Sequence, residues 1–140
     1  MKRSISISLI VAILLAPGVA LGWRGFGWLD VYPVNDKVFE VVERPGAMTS
    51  DFWCSAGEYA HRVLGASAVQ RIYIWRGRGP AATVANRKSV QFSLVPPENA
   101  QERKGYSLSI KTPGFNVNTA TAQRFCEDRI QDLCPFPWCW

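Results

Sequence analysis

One amphipathic segment, Thr49 to Gly65, sets the terms on which this chain can fold. It holds the single histidine, His61, and the first of four cysteines, Cys54. Thr49, Ser50 and Asp51 carry side-chain oxygens able to accept from the open N–H groups of a first helical turn, and Gly65 suits the left-handed stop after Leu64. At about 100° per residue, Asp51, Ser55, Glu58 and Arg62 line a narrow polar stripe. Phe52, Trp53, Ala56, Gly57, Tyr59, Ala60, Val63 and Leu64 cover most of the remaining surface. A helix this broadly apolar is expected to be covered by protein on more than one side. Ala56, Gly57 and Ala60 add no bulk, so a second element can approach its backbone there. Glu58 and Arg62 are spaced for an i,i+4 pair, worth roughly 0.3 to 0.5 kcal/mol on an exposed face.

The address of the chain is written before this helix. Lys2 and Arg3 precede an apolar block from Ile5 to Ala16, Pro17-Gly18 breaks it, and Ala20 and Gly22 place small residues where a signal peptidase reads. Residues 1–22 therefore read as a secretory signal peptide. The block is shorter than the roughly 20 apolar residues a membrane span needs, so no transmembrane span is expected in the mature chain. No cysteine stands at the cleavage point to accept a lipid. What remains, residues 23–140, is 118 residues long and is expected to be one periplasmic or secreted domain. The leader takes two of the 16 basic residues and leaves 14 against 11 acidic ones, a net charge of +3. Weak attraction to anionic surfaces follows; nucleic-acid binding does not.

Cys54, Cys126, Cys134 and Cys139 are an even count in a secreted chain, and disulfides are the expected use. Four cysteines allow three connectivities. Cys126 and Cys134 would stand about 12 Å apart along one helix, whereas a bridge needs Cα atoms within about 7 Å. Cys134-Pro135-Phe136-Pro137-Trp138-Cys139 can close a small ring. Spacing thus favours Cys54 with Cys126 and Cys134 with Cys139. A zinc site would call for close pairs such as C-x2-C, which are absent, so neither metal nor other cofactor is expected.

Along the chain, residues 23 to 33 read as a first strand and Lys37 to Glu43 as a second, with a hairpin turn between them. After the helix, Gln70 to Arg76 reads as a third strand ended by Gly77-Arg78-Gly79-Pro80. Val90, Phe92 and Leu94 alternate with Ser89, Gln91 and Ser93, and Tyr106, Leu108 and Ile110 alternate with Ser107, Ser109 and Lys111. That period of two predicts antiparallel strands wet on one face. Asn118 or Thr119 can cap a second helix carrying Ala122, Phe125, Cys126, Ile130 and Leu133 on one side. The expected fold is α+β: a small antiparallel sheet of about five strands, order β-β-α-β-β-β-α, with both helices on one face, stapled by disulfide.

The leader, the Val-Phe-Glu-Val strand, Phe52-Trp53-Cys54-x-Ala56-Gly57-Glu58-Tyr59, the alternating strand pair and a late Phe125-Cys126 together resemble small uncharacterised secreted proteins of alphaproteobacteria. The likeness covers most of residues 23 to 126 and supports pairing Cys54 with Cys126. Glu127 to Trp140 looks like an addition to the common pattern. That group carries no established activity, so the resemblance brings no catalytic residue.

Candidate chemistry is weighed against these expectations. A Cys54 nucleophile with His61 as base is the sharpest enzymatic idea, a thiol enzyme or small hydrolase. Seven helical residues are about 10 Å of rise, beyond the reach of a nucleophile–base pair. Glu40, Glu58 and Glu98 are scattered acids with no spacing that pairs them for glycoside hydrolysis. Walker and dinucleotide motifs are absent. Arg71, Arg76, Arg78, Arg87 and Lys88 surround one glycine-broken loop and can form an anion-binding patch for phosphate, lipopolysaccharide or acidic glycan. Trp138 and Trp140, in an aromatic tail, are candidates for contact with a partner. Trp23, Trp28, Trp53 and Trp75 belong to core or half-buried positions. The expected function is a non-catalytic, envelope-associated binding module whose partner is an anionic envelope component or another envelope protein.

Overall fold

The computed structural model describes residues 21–101 and 107–133. Residues 1–20 of the expected leader, together with Tyr106, Cys134, Trp138, Cys139 and Trp140, lie outside them. Within them the chain is an α+β fold. β1 (Asp30–Pro33), β2 (Val38–Val42), α1 (Thr49–Arg62), β3 (Arg71–Pro80), β4 (Lys88–Ser93), β5 (Asn116–Asn118) and α2 (Thr119–Leu133) follow in that order. The five strands form one antiparallel sheet ordered β1-β2-β4-β3-β5.

Register aligns one apolar face. Val31 opposes Val41, Phe39 opposes Phe92, Val41 opposes Val90, and Ile74 opposes Phe92. Phe52, Trp53, Ala56, Tyr59 and Ala60 of α1 and Ala122 of α2 join these residues in one core, so both helices pack on the same face. Cys54 and Cys126 bridge the helices with an S–S distance of 2.03 Å. A Cβ on Gly57 would come within 2.7 Å of the Ala122 Cβ, so the missing side chain is what lets α2 lie against α1.

Helix termini follow the local chemistry. Asp51 accepts from the Met48 backbone N–H at 2.7 Å, Asn118 accepts from the Thr121 N–H at 2.7 Å, and Gly65 takes φ +68°. The stripe read as polar on α1 is buried at Asp51, Ser55 and Glu58 and exposed only at Arg62. Asp51 closes the first turn, Ser55 lies beneath Gly27, and Glu58 receives hydrogen bonds from Arg62 and from Gln123 of α2. Trp53 is fully buried and Trp23, Trp28 and Trp75 are half-buried, as expected.

Three strand expectations are corrected. The first strand is only Asp30–Pro33; Trp23 reaches it through an isolated pair of backbone bonds with Val31, both 2.8 Å, because residues 25 to 29 turn back on themselves. Gly77 to Pro80 does not end β3, which continues through irregularities between Ile74 and Arg76 and between Arg76 and Gly79. Bulges of this kind let a strand twist past residues that would otherwise stop it. Residues 107 to 112 form no strand. The outer edge of β3 is occupied instead by residues 114 to 118, through Gly114 N–H to Ile74 O at 2.8 Å, Ile74 N–H to Phe115 O at 2.9 Å, and β5. Leu108 and Ile110 meet their apolar demand by packing on the core, and the Trp53 indole N–H donates to the Ser109 carbonyl at 2.9 Å.

The expected wet face is also corrected. β2 is buried throughout and β4 from Ser89 onward. Ala82 and Thr83 of the segment after β3 donate to Glu40, and Ser89 and Gln91 of β4 donate to the same carboxylate.

Candidate functional site

The end of the sheet where β3 finishes and β4 begins gathers charge. Arg76 and Arg78 stand on the irregular part of β3, Arg87 immediately precedes β4 and Lys88 opens it, Glu43 follows β2 directly, and Lys111 arrives from the irregular segment. Arg78 donates through Nε and Nη2 to the two oxygens of Glu43, at 2.7 and 2.5 Å. Arg87 Nη2 donates to the Glu43 carbonyl at 2.5 Å. The hydrogen-bonded Arg78 guanidinium holds the Glu43 carboxyl below its ordinary value against the opposing effect of burial, with Lys88 and Arg87 adding to the attraction. The same contact raises Arg78.

Gly77, Arg78, Gly79, Lys88 and Lys111 line a shallow depression of about 430 Å³. A Cβ on Gly77 would come within 2.4 Å of the Lys111 carbonyl oxygen, so glycine there allows the irregular segment to reach β3. The Arg78 N–H, donating to the Ile110 carbonyl at 3.2 Å, fixes the approach. Among the described residues, neither the Lys88 nor the Lys111 ammonium has an ion-pair partner.

Arg71, expected in the same patch, is elsewhere. It opens β3 and donates to Asn116 Oδ1 at 2.7 Å, roughly 17 Å along the strand from Arg78 at about 3.3 Å per residue once the two bulged residues between them are left out. Arg76 is committed to the fold, donating to the Pro80 carbonyl at 2.6 Å and to Ser89 Oγ at 2.9 Å. Sequence reasoning missed Lys111 and Glu43. The signal for Lys111 was Gly77, a glycine inside a strand, which marks close approach of another backbone.

Beneath the patch lies Glu40, fully buried. Its carboxylate accepts from Thr83 Oγ1 at 2.5 Å, the Thr83 and Ala82 N–H groups at 2.7 and 3.0 Å, Ser89 Oγ at 2.8 Å and Gln91 Nε2 at 3.4 Å. Burial pushes its carboxyl up, but donation from the Thr83 hydroxyl, the two backbone N–H groups and Ser89 outweighs it and holds the group below its ordinary value. Ser89 links Glu40 to Arg76, so this network positions the turn that carries Arg87 and Lys88.

The chain matches no family model, no curated protein and no solved structure.

The remaining candidates do not assemble into a site. Cys54 is 2% exposed and spends its sulfur on Cys126, while the His61 ring Nδ1 lies 3.2 Å from the Ala66 carbonyl. Glu58 is engaged by Arg62 and Gln123, and Glu98 is exposed. No group of three metal-ligating side chains occurs among the described residues, and no helix among them is long and apolar enough to cross a membrane. A second hollow, about 290 Å³, lies between the β1–β2 turn and the end of α1, floored by Phe39 and Tyr59. Of its polar lining side chains, Asn35 and Ser93 already accept from backbone N–H groups, and Asp36 and Lys37 bring opposite charges to the same rim. The basic depression is therefore the better candidate.

Proposed function

We propose that this chain is a non-catalytic binding module of the periplasm or secreted space that engages an anionic envelope component through the basic end of its sheet. One observation carries the reading: Arg78, Lys88 and Lys111, far apart in sequence, line a single open depression. The disulfide fits it, because such bonds form and persist in oxidising compartments. A thiol enzyme would need the Cys54 sulfur that this bond consumes.

The purified, disulfide-bonded protein is expected to sediment with vesicles of phosphatidylglycerol in phosphatidylcholine. It should be released at about 1 M salt, where the Debye length is about 3 Å. The double variant Lys88→Ala/Lys111→Ala removes charge without removing a side-chain hydrogen bond or ion pair among the described residues, and is expected to lose sedimentation while keeping its circular dichroism. Variants of Arg76 or Arg87 are poorer probes, since both side chains hold backbone carbonyls in place. Undiminished sedimentation of K88A/K111A would sink the reading.

A further inference from the structure

We infer that Glu43, bonded to the Arg78 that lines the basic depression, occupies from its edge the guanidinium fork where the phosphoryl oxygens of a ligand seat, so that binding exchanges one anion for the other. The inference rests on the anion-binding reading above. It adds the ligand class, a phosphoryl group, and the residue that governs access to it.

The geometry is that of a ligand already in place. Two N–H groups of one guanidinium donate to two oxygens of one anion, at 2.7 and 2.5 Å, which is the forked arrangement that phosphate oxygens also take. The Arg78 and Glu43 side chains are 47% and 23% exposed, so the pair can open toward water without disturbing the core. Lys88 and Lys111 line the depression beside it. A phosphoryl group seated there faces three cations at once. A single carboxylate on a partly exposed pair, by contrast, is held weakly against water. A phosphoryl group therefore displaces Glu43, and the competition lowers its apparent affinity.

Removing the competitor should strengthen binding. Glu43→Gln keeps the shape of the side chain and is expected to tighten binding about fivefold, the upper end for loss of one exposed ion pair. Binding is measured with phosphatidylglycerol vesicles and, separately, with inorganic phosphate by calorimetry. Tightening with vesicles identifies a lipid headgroup as the source of the phosphoryl group; tightening with inorganic phosphate alone identifies the free anion. Either supports the exchange, and tightening in neither overturns it. Asp36→Asn removes the same charge at the opposite end of β2 and is expected to change binding far less. An equal gain in D36N would mean that net charge alone acts, and the inference would fall. Arg78→Lys in the E43Q background keeps the charge but breaks the fork, and it should abolish the gain. If wild type and E43Q both ignore every anionic probe, the anion-binding reading itself fails. If wild type binds and E43Q binds no better, only the exchange is wrong.

Discussion

Glu40 stands in the middle of β2 with none of its surface exposed, and it makes no ion pair among the described residues. Neutral donors alone keep it charged, and those donors come from the turn after β3 and from β4. Glu40→Ala strands several buried donors and is expected to cost on the order of 3 kcal/mol in denaturant unfolding. The pH dependence has a definite sign. Because the folded carboxyl lies below its ordinary value of 4.5, its contribution is complete above that value and is lost as pH falls through the lower, folded one. Asp30 is also lowered: burial opposes, and the hydrogen-bonded Arg24 and Arg44 prevail. Asp30, Glu40 and Glu43 thus all withdraw stability in acid, and Glu40→Gln should flatten the unfolding free energy below about pH 4.5 relative to wild type. An identical acid slope in E40Q would show that the network does not hold the charge. From sequence, Glu40 looked like one more surface acid. Its neighbours Val38, Phe39, Val41 and Val42 held the contrary signal, since a strand apolar on both faces is buried on both.

α1 and its partner α2 are where the element-level reading was most legible. Their apolar arcs, the small residues of α1 and the spacing of the cysteines all point to two helices side by side, and the Cys54–Cys126 bridge joins them. Strands were legible only where hydrophobic alternation and ladder pairing coincide. Leu108 and Ile110 alternate with polar residues as strand residues would, yet they satisfy the pattern from an irregular segment, because burying every second side chain does not require a ladder partner. Gly77 to Pro80 looked like a break and is strand, because bulges absorb what the local propensity disfavours. The bridge spans 72 residues and encloses β3, β4 and β5. Loop-closure entropy for a span of that size gives about 4 kcal/mol. Cys54→Ala/Cys126→Ala should lower the denaturant midpoint accordingly, and a loss below about 1 kcal/mol would mean that the helix packing alone holds the two halves together.

Taken whole, the molecule is electrically lopsided along its sheet. At the end where β3 meets β4, two lysines without ion-pair partners among the described residues line the depression with Arg78; near the start of β3, Arg71 leans on a neutral asparagine. Lys88 and Arg71 each carry one formal positive charge, so uniform attraction to an anionic surface would value them equally. Docking through the depression would not. A cation at a membrane surface contributes about 1 kcal/mol, roughly fivefold in affinity, and the effect decays within a Debye length of about 8 Å at physiological salt. With the β3–β4 end against the surface, Arg71 lies beyond that range. Lys88→Ala is therefore expected to weaken vesicle binding about fivefold and Arg71→Ala by less than about twofold, both read from sedimentation isotherms at one salt concentration. Equal losses would make the attraction a property of net charge and remove the reason to assign binding to this end of the fold.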